Sequence, residues 1–176
     1  MQLLRNATLN LRALEPEDLE KLYKWENDST LWSMGSTLSP YSRHILKEYI
    51  ANSTKDIYEQ RQLRLMIVLN ETDEAIGTID LYDFDPHNCR AGVGVLLDSG
   101  FQGRGYAASA LELLTVYAFS FIKMHQLYAM IPETNRPSLK LFKKNGFEES
   151  GLLKEWNTGA HNYINVYFCQ KINDGF

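Results

Sequence analysis

Residues 8–14 place Leu9, Leu11 and Ala13 in alternation with Asn10 and Arg12, the period of a half-buried strand. Glu15-Pro16-Glu17-Asp18 follows and opens a helix to about Asn27, with acids in its first turn. Trp25 to Met34 is rich in aromatics, and Ser39-Pro40 predicts a second helix to about Ser53. Two apolar runs, Leu63–Leu69 and Ala75–Phe84, flank the turn residues Asn70–Asp73 and read as a hairpin. A further strand is expected over Arg90–Leu97, after the turn at Asp85-Pro86-His87-Asn88. Tyr106–Ile122 is a helix apolar on most of its sides, the pattern of a helix buried against a sheet. Gln126–Ile131 is a short strand. A short helix starts at Asn135-Arg136-Pro137-Ser138, with Asn135 as cap, and stops at Asn145-Gly146. Phe147–Trp156 and Tyr163–Gln170 close as a final hairpin. The order βααβββαβαββ implies an α/β (α+β) fold: a mixed, mostly antiparallel central sheet with helices on both faces. One domain over residues 1–176 is expected from the length and from the lack of repeats or low-complexity linkers.

Composition changes this picture little. The chain is 44% hydrophobic and 23% charged, which is ordinary for a globular domain and leaves no apolar run long enough to span a bilayer. Met1-Gln2-Leu3-Leu4-Arg5-Asn6 has no signal-peptide core, and a cytoplasmic protein without a membrane partner is expected. The net charge of −4 argues against a general nucleic-acid binder and permits a cationic partner. Cys89 and Cys169 lack metal-ligand spacing, and His44, His87, His125 and His161 form no HxH or HxxxH pair, so no metal site is expected.

The candidate chemistry lies in two glycine clusters. Gln102-Gly103-Arg104-Gly105-Tyr106-Ala107 directly precedes the long apolar helix. Glycines there let backbone N–H groups surround an anion, and the helix aims its positive end at the same point. Just upstream, Arg90-Ala91-Gly92-Val93-Gly94-Val95-Leu96 sets two glycines on one face of a strand, a mark of close approach to the backbone. Loop and strand together suit one extended ligand, with a pyrophosphate on the loop and an amide-bearing arm along the strand.

These elements resemble the Gcn5-related N-acetyltransferase (GNAT) superfamily. Gln102, Gly105 and Ala107 fill its Gln/Arg-x-x-Gly-x-Gly/Ala loop, and Asn135, Ser138 and Gly146-Phe147 match its later signature. Leu11-Arg12-Ala13-Leu14-Glu15-Pro16-Glu17-Asp18 looks like the start of the branch that holds ribosomal-protein and spermidine acetyltransferases. The resemblance runs through nearly the whole chain and implies acetyl-CoA as cosubstrate and a GNAT-like acyl-CoA N-acyltransferase fold. It implies that Gln102, Gly103, Arg104, Gly105, Tyr106 and Ala107 hold the pyrophosphate, and that Gly94, Val95 and Leu96 hold pantetheine and the thioester. Asn135 and Phe142 would line the same donor slot, between strands that splay apart near Ile131. Arg104, Arg136 and Lys143 are candidate charge partners for CoA phosphates. The reaction implied is transfer of the acetyl group to a primary amine, either a protein N-terminus or a small amine such as a polyamine. The acceptor would lie among Trp25, Glu26, Trp32, Tyr82 and Tyr128, and a homo-oligomer is compatible with the family.

The chain departs from the family pattern at the proton-transfer positions. Phe142 stands where many members carry a tyrosine acid, which leaves Ser138 as the nearest polar substitute. Gly92 stands where many carry a glutamate base, which leaves Asp80 or Asp83 on the preceding strand. Ser36-Thr37-Leu38-Ser39 replaces the acidic pair of spermidine acetyltransferases. These departures keep open a second reading, a non-catalytic acyl-CoA-binding protein or sensor, and a third, an enzyme for longer acyl-CoAs. Gly103-x-Gly105-x-x-Ala108 also fits a dinucleotide fingerprint, but it comes late in the chain and lacks the acid about 20 residues on.

Overall fold

The computed structural model describes residues 3–32, 38–53 and 55–175. Seven strands form one sheet: β1 (Leu9–Arg12), β2 (Leu63–Leu69), β3 (Ala75–Asp85), β4 (Arg90–Leu97), β5 (Gln126–Pro132), β6 (Glu148–Thr158) and β7 (Tyr163–Ile172). Their order is β1-β2-β3-β4-β5-β7-β6. Every pairing is antiparallel except β4 with β5, which are joined by a helical crossover. The expected mixed, mostly antiparallel sheet is therefore present.

The helices are α1 (Leu19–Glu26), α2 (Ser29–Trp32), α3 (Arg43–Asn52), α4 (Ile57–Gln60), α5 (Tyr106–Ser120) and α6 (Arg136–Lys144). Two apolar clusters show why they cover both faces of the sheet. Leu22, Trp25, Leu46 and Ile50 from α1 and α3 pack on Met66 and Val68 of β2. Leu111, Leu114, Ala118 and Phe142 from α5 and α6 pack on Ile67, Ile79, Val93 and Leu127 of the opposite face. Alternation along β2 sends successive residues to the two clusters.

Some boundaries differ from the expectation, for local reasons. A 3-10 turn, Pro16–Asp18, precedes α1, closed by Glu15 and Asp18 as a capping box. The second long helix begins at Arg43 rather than near Ser39, because the Ser42 hydroxyl accepts from the Ile45 N–H at 3.2 Å and fixes the start. The single-turn helices α2 and α4 were not expected. Asp28 and Asp56 carboxylates accept the Thr30 and Tyr58 N–H groups and initiate them. Helix α5 is apolar in sequence, yet Val116 on it and Phe121 just past its end face solvent, so one face alone is buried. Phe121 stacks on Tyr117 at 5.4 Å instead.

Candidate active site

The β4–β5 ladder is short. Arg90, Ala91 and Gly92 pair with Gln126, Leu127 and Tyr128, and the pairing then ceases. Beyond that point β5 continues on β7 as far as Pro132 with Val166, and β4 continues on β3 as far as Leu97 with Gly77. The two strands thus part in mid-sheet, and Gly94, Val95, Leu96 and Leu97 are half-buried rather than sealed. Backbone N–H and C=O groups on the β5-facing edge of β4 are left for a ligand to satisfy.

The open end of this wedge meets the glycine loop. Gly103 and Gly105 have φ of 75° and 85°, a left-handed backbone that glycine adopts without strain. A Cβ at either position would meet nothing within 4 Å, so the loop presents bare backbone to solvent. Gly105 caps α5, whose first turn carries no acidic side chain. An anion there would meet free N–H groups and the positive end of a 15-residue helix. The Gln102 amide donates to the Leu97 carbonyl at 3.1 Å and ties the loop to the end of β4. Arg104 is exposed, its guanidinium carbon 5.7 Å from the Phe101 ring centroid. The loop leaves open space at the positive end of α5 of the kind an anion needs.

The α1–α3 face of the wedge carries a polar cluster. Asp80 pairs with Gly94 across β3–β4, and its Oδ2 stands 3.8 Å from where a Cβ on Gly94 would lie. Arg64 of β2 donates to both Asp80 oxygens, at 2.5 Å and 3.3 Å, and to Glu26 of α1 at 2.6 Å. All three side chains are at least four-fifths buried, with exposures of 19%, 13% and 19% for Arg64, Asp80 and Glu26. Burial works to lower the Arg64 pKa, but Asp80, Tyr49 and Glu26 outweigh it and hold the guanidinium charged. Burial also pushes the Asp80 carboxyl up, and the Arg64 charge pulls against it. With Arg64 on both oxygens, Asp80 is a held carboxylate and not a free base.

Next along β3, Tyr82 pairs with Gly92. A Cβ on Gly92 would overlap the Tyr82 ring, so the glycine is what lets that ring lie flat across β4. The phenol oxygen lies toward the backbone of Met130 on β5, beyond the point where the strands part. Burial pushes this phenol up to about 12. Tyr82 meets Tyr128 edge-on at 5.9 Å, and Tyr128 stacks on Phe168 at 5.2 Å. The Tyr128 hydroxyl reaches Asp83 at 3.5 Å.

The remaining expected residues are placed as follows. Trp25 is 5% exposed, belongs to the α1–α3 core and donates to Asp98 at 2.9 Å, so it is a core residue and not an acceptor contact. Trp32 is half-buried and donates to the Glu26 carbonyl. The Asn135 side chain accepts from the Ser138 N–H at 3.2 Å and caps α6, as expected. Ser138 is half-buried in the first turn of that helix. Phe142 is 3% exposed and meets Phe147 edge-on at 4.9 Å. Its ring fills the α5–α6 core rather than the slot, because a side chain without a polar tip gains most by full burial. Ser36 and Thr37 lie outside the described residues. Among the described residues no group of three His, Cys, Asp or Glu side chains could hold a metal ion.

The sequence reading missed Arg64, Met130 and Phe168. Arg64 had a signal, one charge inside the apolar run Leu63–Leu69. Met130 and Phe168 had none, since only the sheet brings them to Tyr82.

The chain is similar to known proteins over most of its length. Residues 8–148 match the family model described as an acetyltransferase (GNAT) domain. The chain is 29% identical over 168 residues to an uncharacterized N-acetyltransferase p20 of Bacillus licheniformis, covering 95% of this chain and 94% of that one. It is 26% identical over 147 residues to spermidine N(1)-acetyltransferase of Escherichia coli K12, covering 83% and 76%. A spermidine N-acetyltransferase from Vibrio cholerae, solved with CoA and spermine, superposes with a TM-score of 0.84 at 24% identity over 95% of this chain and 96% of that one. The match in sequence spans most of the chain, and the fold agrees with it: the protein belongs to the GNAT family of acetyltransferases, which move an acetyl group from acetyl-CoA to an amine.

Proposed function

We infer that this acetyltransferase acts as a single domain on a small cationic amine or an N-terminal amine. The donor lies with its pyrophosphate on Gln102–Ala107 and its pantetheine along Gly94–Leu96. The observation that carries this reading is the parting of β4 from β5 directly beside an anion cradle. Asn135 lines the donor side. A backbone N–H of β4 steadies the carbonyl oxygen as the amine adds.

The acceptor chemistry follows from charge. Glu26 and Asp80 share the single charge of Arg64 beside the wedge, and the exposed Asp83 lies at the Tyr128 hydroxyl, so the pocket favours a positive guest. Tyr82, Tyr128 and Phe168 add ring faces that suit an ammonium or its alkyl chain. The E. coli and V. cholerae relatives act, by name, on spermidine, which is a guest of this class. Before it can attack, the ammonium must lose a proton, from a resting pKa of about 8 for an α-amine or about 10.4 for a lysine-like amine. Asp80 is engaged by Arg64, so that proton leaves through water, with Ser138 beside the donor as a hydroxyl contact. Assembly into a homo-oligomer belongs to the same reading. Leu152, Trp156 and Tyr163 expose apolar surface on the β6–β7 hairpin, and one V. cholerae relative is dodecameric. Sedimentation as a lone 20.3 kDa species would remove it.

Titration calorimetry with CoA, followed by a panel of amines scored by thiol release, tests the function. Binding of CoA and turnover with cationic amines are expected. Gly105→Asp, which puts a carboxylate into the cradle, should remove binding. No CoA binding by the unmodified chain sinks the reading. Binding without turnover on any amine returns it to the sensor alternative.

A further inference from the structure

The phenol of Tyr82 is not explained by packing alone. Its ring lies over Gly92, and also comes within 3.9 Å of where a Cβ on Gly94 would be. It therefore crosses the strand that holds the donor. Its hydroxyl-bearing carbon is among the atoms that a Cβ on Gly92 would overlap, and the oxygen lies toward the Met130 backbone of β5. The phenol thus sits at the mouth of the wedge on the acceptor side, at the level where the pairing of Gly92 with Tyr128 ends. Two features of the sequence converge on this arrangement. Gly92 makes the room, since any side chain there would overlap the ring. Phe142 supplies no hydroxyl from the opposite face of the wedge, its ring being buried in the α5–α6 core, so that face is left with the half-buried Ser138.

We propose that Tyr82 is a catalytic residue whose phenol O–H donates a hydrogen bond to the CoA sulfur as that sulfur leaves. This rests on the reading that the thioester lies in the β4–β5 wedge. The amine nitrogen bonds to the thioester carbonyl carbon, and its surplus proton passes to water. The C–S bond then breaks, and its electron pair stays on sulfur. A hydroxyl hydrogen turns to suit its partner, and with the ring resting over Gly92 and beside Gly94 the phenol hydrogen can be turned into the wedge. The phenol keeps its proton throughout, because burial holds it un-ionised far above neutral pH. The thiolate takes up a solvent proton after release. A fixed donor already in place costs no reorganisation at the moment of reaction.

Tyr82→Phe tests the assignment, since it keeps the ring over Gly92 and removes only the hydroxyl. It should lower kcat about 10- to 100-fold, the range for loss of one hydrogen bond to a charged group, while CoA affinity by calorimetry changes less than twofold. A second readout is independent of turnover. Ultraviolet titration of CoA bound to the protein should show its thiol ionising about one pH unit lower in the unmodified chain than in Tyr82→Phe. Gly92→Ala, which pushes the ring aside, should raise that bound-thiol pKa in the same direction. Unchanged kcat and unchanged thiol titration in Tyr82→Phe would overturn the proposal. So would a loss confined to KM. Failure of the unmodified chain to bind CoA would instead strike the donor-site reading on which the proposal rests.

Discussion

Single residues settle what the wedge can do. Gly92 is the clearest case, because its missing Cβ is what admits the Tyr82 ring. Read along the chain, Gly92 is only a lost glutamate; read in three dimensions, it is room for an aromatic from the next strand. Arg64 is the reverse case, a residue whose neighbours were invisible until the sheet formed. It pairs with two largely buried carboxylates at once. Replacing it with Met should destabilise the protein by about 3 kcal/mol, because Asp80 and Glu26 would be left buried without their cation. Urea melts at neutral pH read this loss, and it should shrink at acid pH as the carboxyls take up protons. An Arg64→Met protein as stable as its parent would show that the cluster is open to water. Trp25 carries the opposite lesson: an aromatic near the pocket in sequence went to the core, with its indole N–H satisfied by Asp98.

The elements position these residues. Asp98, just after β4, accepts from Lys24 and from Trp25 of α1 and from the Gly100 N–H. It fastens the acceptor-side helix to the strand that carries the donor site. Hydrogen bonds from Lys24 and then Trp25 pull its pKa down to about 2. A carboxyl depressed on folding adds stability above its unfolded pKa of about 3.9, and this is lost as pH falls toward its folded value. Thermal melts should therefore lose stability between pH 4 and pH 2 partly through Asp98, and Asp98→Asn should flatten that slope. An identical slope in the variant would assign the acid sensitivity elsewhere. Side-chain caps also explain where the sequence reading of the elements slipped. Ser42, Asp28 and Asp56 each start a helix by accepting a nearby N–H, whereas proline and periodicity had drawn the eye to Ser39-Pro40. Strands β2 and β4 were legible to the residue, because apolar runs bounded by turn residues leave little freedom.

At the scale of the molecule, two layers of helices press on a sheet whose centre is unzipped. The β1–β4 half and the β5–β7 half share only three paired positions on the parallel seam. A ligand that bonds to the free edge of β4 and to the α5 N-terminus favours the folded state alone. CoA at 100 times its Kd should add about 2.7 kcal/mol, which for a chain of 176 residues is a rise in Tm of roughly 5–10 °C. Scanning calorimetry with and without CoA reads it, and an unmoved Tm at saturation would mean that the seam is closed in solution. The sequence by itself determined the order of elements, the glycine loop before a helix free of first-turn acids, and the cap on α6. Each of these depends on neighbours a few residues apart, where backbone sterics, capping and periodicity act. Only the tertiary structure decided that Arg64 joins Glu26 to Asp80, that Phe142 turns into the core, and that Tyr82 crosses Gly92 toward Met130. Those contacts join residues from separate strands and helices. They depend on sheet register and on the point where two strands part, which no local pattern in the chain encodes.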